Sequence, residues 1–222
     1  MSRIAFHFAL MLTITLAAQT AHAQTQTDEH RFEVGGQLTI INLQPLESIF
    51  TLPNATVRAS QFGQGAFGFG GRVGYNFNEY VALETAGSYF PEKNFSEVDL
   101  NRKAQFFAGV KAGKRAEKFG VFAKARPGVM YFSELGNHTR CDLAAYPQLV
   151  CTELSQTNFA FDIGGVVEYY PTPRAIVRFD AGDTIVRFKE AGPTLLPGNG
   201  SVFTPAATTH NFQASVGFGF RF

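Results

Sequence analysis

Eight stretches of this chain alternate apolar with polar or very small residues at a period of two. The first sets Phe32, Val34, Gly36, Leu38 and Ile40 against Glu33, Gly35, Gln37 and Thr39. The others open at Phe67, Val81, Ala104, Phe119, Phe159, Ala175 and Phe212. Successive side chains of a strand point to opposite faces, whereas a helix repeats near 3.6 residues, so the pattern predicts eight β-strands. Their length narrows the choice further. Each runs for roughly 9–14 residues, more than the usual soluble strand of about 5–6 and close to the 9–11 a tilted strand needs to cross a bilayer.

The connections alternate too. Asn78-Glu79, Arg115 to Lys118 and Pro171-Thr172-Pro173 are short, while Leu43 to Gln64, Pro91 to Arg102, Ser133 to Gln156 and Lys189 to Thr209 are long. Short and long in turn describe an up-and-down meander, with every short turn at one end and every long loop at the other. Outer-membrane barrels are built this way. Two places disturb the pattern. Pro127 has no N–H to give to a ladder, so a bulge or a break in pairing is expected there. At Gly182-Asp183 the phase shifts and Thr184, Val186 and Phe188 take up the apolar parity, which predicts a β-bulge.

One parity carries Glu33, Arg72, Glu84, Lys111, Lys124, Arg126, Asp162, Glu168, Arg178, Asp180 and Arg221, and the opposite parity carries no charge within the regular stretches. Two architectures fit: a soluble, lipocalin-like barrel with its apolar face inward, or a membrane barrel with that face toward lipid and the charges inside. The charged parity is thick with Gly and Ala, where a solvated surface would carry Lys, Glu and Thr. Small residues suit the narrow interior of an eight-stranded barrel. Aromatic residues gather at segment ends, among them Phe32, Tyr75, Phe77, Tyr89, Phe119, Tyr131 and Tyr169, where interfacial girdles lie. Both observations favour the membrane barrel, and they account for the 24 Phe and 22 Gly of the chain. Six cations against five anions then form an interior salt-bridge network, because an unpaired buried charge is costly. Such a network is a structural plug, or a small pore whose pairs switch partners.

The N-terminus reads as a secretory signal peptide over residues 1–23, with Arg3 as its charge, an apolar run from Ile4 to Ala18 and Ala21-His22-Ala23 as the cleavage site. A short segment, 24–30, precedes a barrel spanning 31–222. The formal net charge of +1 belongs to the whole chain, and Arg3 is the one charge lost with the leader. A formally neutral exported protein is no nucleic-acid binder.

The last stretch, Phe212 to Phe222, resembles the terminal insertion signal of bacterial outer-membrane proteins, carried by Phe218, Phe220 and Phe222. Gly68-Phe69-Gly70-Gly71-Arg72-Val73-Gly74-Tyr75-Asn76 followed by Tyr80-Val81-Ala82-Leu83-Glu84 resembles the OmpA-like outer-membrane β-barrel family. Val110 to Arg115 and Phe119 to Gly128 look like its central hairpin. The resemblance covers most of the mature chain and is specific for architecture rather than activity. It implies an all-β, eight-stranded antiparallel up-and-down barrel in the outer membrane of a bacterium. It also implies outer-membrane lipid as surroundings and the barrel-insertion machinery as a partner of the C-terminal strand. Better-known members carry a peptidoglycan-binding domain after the barrel; none follows Phe222, so no such tether is expected.

Candidate chemistry outside the lumen is sparse. Cys141 and Cys151 share one long loop, and export predicts a disulfide between them; a metal pair with His138 lacks a fourth ligand and the usual short Cys spacing. His138 near Ser133 and Thr139, and His210 near Thr208 and Thr209, offer lipid-modifying chemistry only without a convincing triad spacing. Four Asn-x-Ser/Thr matches, at Asn54, Asn94, Asn137 and Asn199, are loop composition, and Gly68-x-Gly70-x-x-x-Gly74 lies on a strand rather than before a helix, so it is no nucleotide motif. The expectation is a monomeric, cofactor-free, non-enzymatic barrel with a structural or small-pore role and four extracellular loops. Surface adhesion through the loops is the first alternative, ahead of a lipid-modifying enzyme and a soluble lipocalin-like carrier.

Overall fold

The computed structural model describes residues 31–60, 64–91, 102–133, 139–142, 150–153, 155–196 and 200–222. The expected leader and the segment 24–30 lie outside these described residues. The chain forms β1 (Phe32–Leu43), β2 (Glu47–Leu52), β3 (Ala55–Ser60), β4 (Gln64–Asn76), β5 (Val81–Phe90), β6 (Lys103–Arg115), β7 (Phe119–Phe132), β8 (Thr139–Asp142), β9 (Val150–Glu153), β10 (Gln156–Tyr169), β11 (Ala175–Phe188), β12 (Ala191–Leu196), β13 (Gly200–Thr204) and β14 (Ala207–Arg221). Eight of these close a barrel in the order β1-β14-β11-β10-β7-β6-β5-β4. They are the eight strands that the alternation predicts, and every neighbouring pair is antiparallel. The seam joins the first barrel strand to the last, with Glu33 opposite Arg221 and Asn42 opposite Phe212. Closure pairs the backbone groups that lipid would leave unsatisfied.

The short connections are fastened locally. Asn78 accepts hydrogen bonds through Oδ1 from the N–H groups of Tyr80 and Val81, both at 2.8 Å, which folds the β4–β5 turn back on itself. Thr172 does the same for Ala175 at 3.0 Å in the β10–β11 turn. These turns, with the start of β1 and the end of β14, lie at one end of the barrel. The long connections rise from the other end, and they hold more order than the alternation indicated. β12, β13, β2 and β3 form a four-stranded sheet drawn from the first and last long loops, and β8 pairs with β9 inside the third. These strands are short and lack sustained alternation, so period two could not reveal them.

Of two local expectations, one needs correcting and the other holds in its second form, a break in pairing. At Gly182-Asp183 there is no bulge: β11 keeps one register against β10 and β14 throughout. Thr184, Val186 and Phe188 are therefore inward and buried, because the interior itself turns apolar toward the loop end. The same continuity puts Asp183, Arg187 and His210 on the outer face near that end, so the outward parity is not free of charge. Pro127 introduces no bulge either. β7 runs on in register with β10, opposite Phe161, while two rungs toward β6 are skipped between Phe107–Gly128 and Val110–Ala125. The missing N–H loosens one side of the ladder without shifting it.

The outer wall is apolar. Leu38, Ile40, Phe69, Val73, Phe106, Val121, Ile163, Phe179, Val216 and Phe218 all point outward and are about half exposed. At the turn end, Phe32 meets Tyr75 with ring centroids 5.0 Å apart, Tyr75 meets Phe77 at 5.2 Å and Phe119 meets Tyr169 at 5.1 Å. Phe69 and Tyr89 form a second contact, at 5.9 Å, higher on the wall. This surface would aggregate in water, and it matches the apolar band flanked by aromatic girdles that faces a bilayer. The soluble-carrier alternative, which needs a wet outer face, is overturned.

Candidate functional site: a layered ionic lumen

Strands placed opposite one another in an eight-stranded barrel are close enough for long side chains to meet across the interior. Near the turn end, Glu33 of β1 accepts from Asn76 at 2.9 Å, Arg115 at 2.9 Å and Arg221 at 3.2 Å, with the Lys111 ammonium at 3.4 Å. Lys111 of β6 also reaches Glu168 of β10. Tyr170, in the turn beyond β10, donates to Glu168 at 2.7 Å and accepts from Arg115 Nε at 3.0 Å. Burial, and then the Glu168 carboxylate, push the Tyr170 hydroxyl up to about 12, so it stays a donor. The Arg221 guanidinium lies over the Tyr170 ring, 4.7 Å from its centroid.

The next layer is denser. Glu84 of β5 accepts from both Arg126 of β7 and Arg178 of β11, the latter with Nη2 at 2.9 Å. Arg126 Nε donates to Asp162 at 2.8 Å, and Arg178 Nη2 donates to Asp180 at 2.8 Å. Lys124 lies 2.9 Å from Asp162 and also pairs with Asp180. In the strand order, β5 and β11 stand four places apart on an eight-membered ring, so the Glu84–Arg178 pair spans the diameter. Both residues are only 2% exposed.

Above the charges lies a neutral polar layer. Gln37 donates to Ser88 at 3.0 Å, Thr39 bonds Ser88 at 3.2 Å and Ser215 at 3.1 Å, and Thr184 donates to Gln213 at 3.2 Å. At the loop end, Ile41, Leu46, Phe90, Phe107, Met130, Phe132, Ala160, Val186 and Phe188 fill the interior as an apolar cluster. The lumen is thus stratified: ionic, then neutral polar, then mainly apolar, with Lys103, Asn158 and Asn211 buried among the apolar side chains.

All eleven charged residues predicted for the interior lie there, and ten of them join these pairs. Arg72 is the exception: it is 4% exposed, and its Nε and Nη2 have no hydrogen-bond partner among the described residues. Arg115 was missed because it reads as the start of a turn; Lys103, inward and buried, was missed because it reads as the end of a loop. Continuing the strand's parity one residue back from Ala104 and three residues on from Ala112 would have found both. Outside the lumen, His210 Nδ1 lies 2.6 Å from Asp183 on the exposed outer wall. The backbone register sets Cys141 directly opposite Cys151 across β8 and β9. His138 lies outside the described residues.

An apolar wall around an ionic interior defines an integral β-barrel protein of a bacterial outer membrane. The chain belongs to the outer membrane protein beta-barrel domain family, whose model matches residues 8–222. Comparison with curated proteins gives no match. Among solved structures, the chain is similar to Neisserial surface protein A, NspA (13% identity, 86% of this chain and 97% of that one, TM-score 0.47). It is similar to OprG from Pseudomonas aeruginosa (15%, 87% and 96%, TM-score 0.47) and to Ail, the attachment invasion locus protein of Yersinia pestis (16%, 87% and 99%, TM-score 0.39). Identities this low carry no shared activity.

Proposed function

We propose that this protein is a structural outer-membrane barrel with a plugged lumen, conducting ions only along a narrow path that opens when interior pairs exchange partners. The supporting observation is the Glu84–Arg178 pair, which crosses the lumen between opposed strands and is roofed by the apolar cluster. Planar-bilayer recording of the folded protein tests it. The expected record is a closed baseline with at most brief, small openings; a steady, large conductance refutes it. In this reading the role is not catalytic. Residues Phe218, Phe220 and Phe222 are offered to the insertion machinery, supported by the exposed aromatic side chains of Phe218 and Phe220 on β14 and of Phe222 just beyond it. The Gly68–Asn76 and Tyr80–Glu84 hairpin supports kinship with the OmpA-like branch.

A second reading, recognition at the cell surface, is favoured by the sheet of β12, β13, β2 and β3. A folded platform is a more defined surface than free loops. Replacing Glu47–Ser60 with a short turn and measuring surface binding tests this: unchanged binding removes the reading. We also propose a Cys141–Cys151 disulfide, supported by their opposed register.

A further inference from the structure

The ionic layers hold more positive than negative groups. Arg72, Lys111, Arg115, Lys124, Arg126, Arg178 and Arg221 face Glu33, Glu84, Asp162, Glu168 and Asp180. The five carboxylates are all engaged. Glu84 holds Arg126 and Arg178; Glu33 holds Lys111, Arg115 and Arg221; Glu168 holds Lys111 and Tyr170; and Asp162 and Asp180 share Lys124, with Arg126 and Arg178 beside them. Arg72 therefore stands in the barrel without a direct ion pair among the described residues, and the carboxylates of Glu84, Glu168 and Glu33 act on it only from a distance.

Its surroundings are shaped around it. Arg72 lies opposite Gly35 in the β1–β4 register, and its side chain reaches over β1 to β14. A Cβ added at Gly35 would come within 3.4 Å of Nε, one at Gly217 within 3.3 Å of Nη1, and one at Gly219 within 3.3 Å of Nη2. Each would also meet backbone carbonyl oxygen at 2.7–2.8 Å. Three glycines on two strands thus leave the floor on which the guanidinium lies. Burial of an unpaired guanidinium is unfavourable unless a counter-charge accompanies it, and its planar fork of donors suits an anion.

We propose that Arg72 is an anion site within the lumen, taking a small monovalent inorganic ion of halide size. The ion supplies the negative charge that the five carboxylates do not, and the crowding of the ionic layer excludes larger organic anions. The site rests on the reading of the lumen as a packed ionic interior, but it can fail separately from the plug.

The test uses the folded full barrel in detergent. Sodium gluconate is replaced by sodium bromide at constant ionic strength, and the midpoint of heat-induced gel-mobility change is followed. At a tenfold excess over its Kd, bromide raises the midpoint of the native protein by about 3–5 °C. Arg72→Met loses this response and Arg72→Lys keeps part of it. No bromide response in the native protein, or an equal response in Arg72→Met, overturns the site. If Arg72→Met does not fold, anomalous scattering from bromide in crystals of the native protein decides: a peak against the guanidinium supports the site, and a map without one overturns it. Bromide at Arg72 in a steadily conducting barrel would refute the plug and leave the site standing.

Discussion

Glu84→Gln isolates what the ionic layer contributes to stability. The two side chains are nearly isosteric, so no cavity opens and the lost quantity is charge. Glu84 is 2% exposed and accepts from two guanidinium groups. Removing one partner of a buried pair costs about 3–5 kcal/mol. Here the cost falls at the lower end, since Arg126 keeps Asp162 and Arg178 keeps Asp180, each at 2.8 Å. The amide adds a donor facing donors, which prevents the cost from vanishing. About 3 kcal/mol, with a urea slope of about 2 kcal/mol per molar, moves the unfolding midpoint down by about 1.5 M. The assay is urea unfolding in lipid vesicles, followed by the mobility difference between folded and unfolded forms on unheated gels. A midpoint within about 0.3 M of the parent would mean that the Glu84 pairs add nothing net, and the plug would rest on packing alone.

Other substitutions address other layers. Leu38→Arg, on the lipid wall near the middle of β1 and 48% exposed, should cost about 2–4 kcal/mol in the same unfolding assay. Tyr170→Phe removes a neutral phenol whose titration is raised from 10.0 to about 12. That contribution is complete below pH 10 and is lost as pH rises through 12, so the gap between parent and variant should close over that window. Cys141→Ser with Cys151→Ser should leave barrel mobility unchanged while abolishing the shift between reduced and non-reduced gels; the loop loses about 3 kcal/mol of chain restriction, seen as faster proteolysis there. His210→Ala should leave the acyl content of lipid A, read by mass spectrometry, as it is in the parent strain.

The barrel was legible because one wall faces lipid and the other a narrow interior, and period two records that difference at nearly every position. What failed did so where this contrast fades. Val186 and Phe188 were misplaced because an apolar inward residue looks the same in sequence as an apolar lipid-facing one; only the register against β10 and β14 separates them. β14 begins at Ala207, earlier than its alternation indicates, because its outward position His210 is polar and faces out beside Asp183. The charged residues were found from parity alone, but parity cannot say which charge meets which. Glu84 and Arg178 are 94 positions apart, and their meeting follows from strand order. The isolation of Arg72 was equally hidden, since near balance by count suggested a partner for every charge.

The seam between β1 and β14 ties chain assembly to charge. Glu33 collects Lys111, Arg115 and Arg221, and the last lies 188 residues away. The earlier strands can satisfy part of this carboxylate and one edge of β1, but its full set of cations, and the partner for the other edge of β1, arrive only with the final strand. An assembly stalled before that point presents lipid with two bare strand edges, the outcome that lipid penalises most. Closing the ring and completing the cation set of Glu33 are therefore one structural event.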